Sequence, residues 1–146
     1  MKKGSLLPSH HHVMRHVPWA RLSRDGDDNV DGILPQAFEL RPGEGTLSVN
    51  WIEYHDGQGD DPEIASIQTF RRTLDIGKRS AFGIGNVEEI ARVVDEGGRP
   101  IRTIYSPTEK NQSHSSMKGR SLEDLIAREK LARRVFSRYI KNSDVE

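Results

Sequence analysis

The sequence predicts an α+β fold: one small domain in which a mixed, mostly antiparallel sheet carries about three helices, with a long C-terminal helix. Three observations predict it. Short segments that alternate apolar and polar residues dominate the first half. Helix-start signals stand at Asp61-Pro62 and at Asn86. An apolar stripe at helical spacing then runs from Leu122 to Ile140.

Residues 1–12 read as a flexible N-terminal tail, 13–142 as the domain and 143–146 as a C-terminal tail. Val13 to Val17 is extended and stops at Pro18, which disfavours helix in the residue before it. Arg21 to Arg24 continues it as far as the polar turn Asp25–Gly32, rich in residues that tolerate positive φ. Gln36–Leu40 alternates as a half-buried strand, and Thr46–Tyr54 resumes after Pro42-Gly43, so the two are expected to form a hairpin. Leu47, Val49 and Trp51 then share one face, and Ser48, Asn50 and Ile52 the other.

The first helix opens at Pro62 and buries Ile64, Ile67, Phe70 and Leu74. Ser80–Ile84 is a strand. Asn86 caps a second helix with Val87, Ile90, Ala91 and Val94 on its apolar side, ending at Gly97-Gly98. Ile101–Tyr105 is the next strand. Ser121 opens the last helix, which carries Leu122, Leu125, Ile126, Ala132, Val135, Phe136, Tyr139 and Ile140 on one side.

Composition narrows the function classes. At 146 residues the chain can bury a real core, yet 34% hydrophobic residues is low, so some segments are expected outside it. Lys plus Arg equals Asp plus Glu at 22 each, so no global field draws the chain to nucleic acid or membrane; any such role needs local charge segregation. Cysteine is absent, which removes disulfides, thiolate metal sites and thiol nucleophiles. No apolar run spans a bilayer, and Met1–Pro8 lacks the apolar core of a secretory signal, so a cytoplasmic location is expected.

The six histidines carry the chemistry that is legible. Histidine is the side chain whose ordinary pKa lies near neutrality. His10-His11-His12 are adjacent and share no face, so no metal site is expected there. Arg15-His16 closes the first strand, with Trp19, Arg21 and Arg24 close behind. His114 lies in the polar loop Asn111–Ser116, flanked by Lys110 and Lys118. Ser48 and Asn50 project from the Trp51 strand, ahead of Glu53 and His55. Each group also fits a solvated strand end, loop or hairpin face.

Two imidazoles with cations are what metal-independent phosphodiester cleavage requires: one takes a proton, one returns it, and cations steady the phosphorane. The expected function is therefore a phosphate- or nucleic-acid-handling protein, a metal-independent endoribonuclease (a hydrolase-type, RNA-binding enzyme). Its catalytic residues would be His16, His114 and Ser48, with Arg15, Arg21 and Lys118 binding phosphate. No cofactor and no metal are called for. The alternative is a non-catalytic protein-interaction module, an accessory or inhibitor protein. It would dock through Trp19, Trp51 or the basic helix face of Lys130, Arg134, Arg138 and Lys141. An NAD-consuming transferase ranks last, since Glu109 is its only late glutamate near a strand.

Two further patterns fall short. Asp25, Asp27, Asn29 and Asp31 space as a calcium loop begins, but Val30 stands where glycine is needed and Gln36 where the bidentate glutamate belongs. Gly83-Ile84-Gly85-Asn86 precedes a helix but lacks the rest of a nucleotide-binding fingerprint.

Overall fold

Residues 1–146 are described by the computed structural model. Its strands are β1 (His12–Val17), β2 (Leu22–Arg24), β3 (Val30–Ile33), β4 (Leu47–Trp51), β5 (Ala81–Asn86), β6 (Arg102–Tyr105), β7 (His114–Lys118) and β8 (Arg138–Lys141). Its helices are α1 (Pro62–Thr73), α2 (Val87–Ala91) and α3 (Leu125–Lys130). Six strands form one sheet in the order β6-β7-β4-β1-β5-β8, and β2-β3 is a separate hairpin. Every pairing is antiparallel. No helix is long and apolar enough to cross a membrane.

The two helix starts form as local physics dictates. The Asp61 carboxylate accepts from the amides of Glu63 and Ile64, and Pro62 takes the first helical position. Asn86 caps α2 through the Glu89 amide. The buried side of α1 is Ile67 and Phe70, while Leu74 is half exposed.

Elsewhere tertiary pairing overrides the local pattern. Gln36–Leu40 is not a strand: Pro35–Phe38 is a 3₁₀ turn that buries Ala37 and Phe38. The expected hairpin is therefore absent, and β4 pairs with β7 and β1. The polar segment expected as a loop over 111–116 delivers β7, with Ser115 and Met117 inward.

The long C-terminal helix is also corrected. The helical segment spans only 11 residues, α3 followed by a π-helical turn over Leu131–Val135, and Arg138–Lys141 turns into strand β8. Leu125 and Ile126 are exposed rather than buried. Lys130 and Arg134 thus lie on helix, Arg138 and Lys141 on a strand, and the four make no common basic face. Arg138 instead makes a paired contact with Glu63 of α1 at 2.6 and 2.7 Å.

The terminal segments are held against the body. Gly4 and Leu7 amides donate to the Tyr105 and Thr103 carbonyls, and Leu7 is buried. The Arg71 guanidinium donates to the carbonyls of Asn142, Val145 and Glu146.

The sheet separates two cores. On one face Val13, Val17, Leu47, Val49 and Met117 pack with Phe38, Leu131 and Phe136. On the other Met14, Phe82 and Ile84 pack with Ile67 and Phe70 of α1. The glycines of the Gly83-Ile84-Gly85 run serve the first core. A Cβ on Gly85 would lie 2.7 Å from Phe136 Cζ, and one on Gly83 2.8 Å from Ile33 Cδ1. The Phe136 ring occupies the room those hydrogens leave, and it meets Phe38 at 4.8 Å between centroids.

Two substitutions test this packing. Phe136→Ala should lower the unfolding free energy by about 3–5 kcal/mol in a denaturant titration. Gly85→Ala alone should destabilise by about 1–3 kcal/mol through overpacking. Combined with Phe136→Ala it should cost almost nothing more. Additive losses would show that the ring does not rest on Gly85.

Candidate functional site

β1 pairs with β5 along its whole length, from His12↔Asn86 to Val17↔Ala81. With β4 it pairs only at Val13↔Trp51 and Met14↔Asn50. Continued, that register would set Arg15 against Val49 and His16 against Ser48. The ladder stops first, and the Arg15 side chain bonds across instead. Its Nε donates to the Ala37 carbonyl and its Nη1 to the Ser48 carbonyl, each at 2.8 Å. A cleft of about 600 Å³ opens here, walled by Arg15, His16, Arg21, Ser48 and Phe70, with the 39–44 loop as its rim.

Strand alternation puts His16, Ser48, His114 and Ser116 on the same sheet face, since β4 and β7 pair Ser48↔Ser116 and Asn50↔His114. Ser48 is exposed there. His114 Nε2 lies 3.1 Å from Ser48 Oγ. His114 Nδ1 lies 2.8 Å from the Ser106 carbonyl and 3.0 Å from Ser106 Oγ. A carbonyl only accepts, so Nδ1 carries the hydrogen and neutral His114 turns a lone pair on Nε2 towards the Ser48 hydroxyl. Ser106 Oγ in turn lies 2.7 Å from Ser116 Oγ. The chain hydroxyl, imidazole, orienting carbonyl is that of an activated nucleophile or a proton relay.

A buried amide network holds this arrangement. Asn111 Nδ2 donates to Asn50 Oδ1 at 2.7 Å, and Asn50 Nδ2 to the Ser66 carbonyl of α1. The Ser113 amide and hydroxyl both donate to Asn111 Oδ1. The turn before β7 is thereby tied to β4 and α1, which sets where His114 emerges.

His16 differs from His114. Its ring lies against Phe82 and Phe70, at 5.8 and 6.2 Å between centroids. Nε2 is enclosed without a hydrogen-bond partner, which leaves Nδ1 as the nitrogen the cleft can reach. Burial first, and the neighbouring Arg15 charge second, push its pKa down to about 4, so the ring is neutral at neutral pH. Burial also lowers Arg15 to about 10; Glu44 opposes that shift, and Arg41 and Arg21 add to it.

The other sequence candidates are dispersed. Arg21 joins the cleft and donates through Nη1 to the Gln36 carbonyl. Lys118 lines a second cleft with Arg99, Arg102 and Arg120, which shares only Leu40 and Glu44 with the first. Asn50 is consumed by the buried network, and Glu53 accepts from His12 at 2.7 Å. His55 is buried outside the cleft, its pKa lowered mainly by burial. Asp25 accepts from the amides of Asp27 and Asn29, so it closes a turn. Sequence reasoning missed Ser106, whose only signal is the following Pro107, which favours extended backbone before it.

No protein-family model matches the chain, and no characterised protein or solved structure shows significant similarity to it.

Two outcomes follow from the buried groups. Arg15→Met leaves two carbonyls without a charged donor and should destabilise by about 2 kcal/mol, read as a lower Tm. For His16 the sign is set by its lowered folded pKa. Between pH 6.5 and about 4 the unfolded chain binds the extra proton, so stability should fall as pH falls through that window. His16→Phe should flatten that slope; an unchanged slope would mean the ring is solvated.

Proposed function

We propose that the protein is a metal-independent endoribonuclease whose active site is the cleft between β1 and β4. The observation that carries this reading is the Ser106–His114–Ser48 chain standing on the same sheet face as His16, beside an arginine-walled cleft.

The two imidazoles divide the work by their surroundings. His16, neutral and unpaired, accepts the proton of the ribose 2′-hydroxyl. The 2′-oxygen forms its bond to phosphorus as the bond to the 5′-oxygen breaks, leaving a 2′,3′-cyclic phosphate. Protonated His114 gives its Nε2 hydrogen to the departing 5′-oxygen, while the Ser106 carbonyl keeps Nδ1–H engaged. Arg15 and Arg21 supply cationic hydrogen-bond donors for the phosphorane; two donors of Arg15 and one of Arg21 are held by carbonyls, so the remaining N–H groups serve the ligand. Ser48 Oγ, hydrogen-bonded to His114, positions the phosphate. Lys118, in the other cleft, has no part in this step.

The Ser48–His114 contact also favours a second reading, in which Ser48 Oγ bonds to phosphorus as the bond to the 5′-oxygen breaks, His114 passing the hydroxyl proton to that oxygen, and water then hydrolyses the phosphoserine ester. The two readings separate on a substrate without a 2′-hydroxyl.

Incubation with a dinucleotide and with mixed RNA in EDTA tests the proposal. Cleavage to cyclic-phosphate ends is expected, and His16→Ala and His114→Ala should each slow it by about 10²–10⁴-fold. The acid limb of kcat/KM should fall below pH about 4, where His16 protonates. DNA should stay intact under the first reading and be cut under the second, where Ser48→Ala abolishes turnover. Intact RNA at every pH would retire both.

A further inference from the structure

The 3₁₀ turn that follows β1 carries a feature the catalytic reading does not use. Trp19–Arg21 forms this turn, and its neighbours Pro18 and Arg21 line the cleft. Trp19, half-buried, has two guanidinium groups over its ring: Arg24 at 4.4 Å and Arg79 at 4.3 Å from the centroid. Arg24 comes from β2 and Arg79 from the approach to β5, so three separate segments meet at one indole. Both arginines are exposed.

Neither has a counter-ion. The ion pairs of the molecule are His12–Glu53, Arg92–Glu88, Arg99–Asp95 and Arg138–Glu63. No carboxylate oxygen lies within 4.0 Å of Arg15, Arg21, Arg24 or Arg79. In a chain whose 22 cationic and 22 acidic residues balance, two arginines on one indole with no carboxylate in contact are a local concentration of positive charge. Two like charges gathered on one ring repel each other, and a neighbouring anion relieves that repulsion. Guanidinium groups held flat on an indole also offer what unpaired nucleotides need: an outward stacking plane and donors for the phosphate.

We propose that Trp19, Arg24 and Arg79 form a subsite for the sugar-phosphate backbone of single-stranded RNA, holding nucleotides that flank those in the cleft. This rests on the ribonuclease reading and names its substrate: an oligonucleotide strand, with contacts beyond the scissile linkage. The arginine pair meets phosphates, and the outer plane of an exposed guanidinium meets a base. Sequence preference at this position is therefore weak, because every base has a face to stack.

The test is a fluorescence-anisotropy titration of the full chain with a labelled 2′-O-methyl RNA 12-mer, which lacks the nucleophile and stays intact. Wild-type protein should bind it. Arg24→Ala combined with Arg79→Ala should weaken binding about 10-fold at low salt. The double variant should also flatten the slope of log K against log salt by about 1.4, the value for two lost phosphate contacts on a single strand. Arg24→Lys with Arg79→Lys should restore most of that slope, which a merely structural role for the pair would not do. A double-alanine variant with wild-type affinity and slope, or a wild-type chain that ignores the 12-mer, would overturn the subsite. Cleavage of a dinucleotide by wild-type protein reports on the cleft separately. If the dinucleotide is cut and the slope does not change, only the subsite fails. If it is not cut and the slope does change, only the catalytic reading fails.

Discussion

The rest of the structure depends on the Arg15 side chain standing in for a strand ladder. A central strand normally pairs on both edges, because an unpaired buried carbonyl costs about as much as a lost hydrogen bond. β1 meets that demand in full towards β5 but only at two positions towards β4. Beyond Met14 one guanidinium bonds two carbonyls, Ser48 of β4 and Ala37 of the 3₁₀ turn. The carbonyls on the far side of the parting thus keep a donor, and the parting is the cleft. The cost is a cation drawn out of water, visible in the lowered Arg15 pKa.

That geometry sorts the histidines. Ser48 stays exposed because β4 has left β1, so the His114 ring reaches its hydroxyl from β7. His16, on the other side of the opening, is enclosed by Phe70 and Phe82 and sits next to a buried cation. The cleft thus holds one imidazole kept neutral, His16, and a second, His114, bonds the cleft-lining Ser48 with its tautomer set by a carbonyl. Different surroundings imposed on two identical side chains are what the proposed acid and base roles require. The Asn50–Asn111–Ser113 network supports this from beneath, satisfying polar groups that would otherwise be buried alone.

How much of this was legible follows from where the determining interactions lie. Asp61, Pro62 and Asn86 act on their own next few residues, so the starts of α1 and α2 could be read from the chain. β7 could not, because Met117 is the one apolar residue on its buried side; Ser115 and the preceding Ser113 are buried polar residues whose burial depends on Asn111 and the neighbouring strands. The last segment misleads for another reason. Val135, Phe136, Tyr139 and Ile140 fit a helical stripe, yet a π-helical turn hands over to a strand that pairs with β5. At the site, the residue types His16, Ser48, His114, Arg15 and Arg21 were readable as chemistry. The cleft that gathers Arg15, His16, Arg21 and Ser48, with His114 bonded to Ser48 at its edge, was not, since it comes from a ladder that ends early. Lys118, near His114 in the sequence, lines the neighbouring cleft.

The account turns on the orientation of one ring, and long-range ¹H–¹⁵N correlation spectroscopy of the histidine side chains reads it directly. With its hydrogen on Nδ1 and held by the Ser106 carbonyl, neutral His114 should give the Nδ1–H tautomer pattern, with an unprotonated Nε2. A neutral His114 protonated at Nε2, or one averaging freely between tautomers, would contradict the account. The Ser106 carbonyl would then not hold the ring with Nε2 turned towards Ser48.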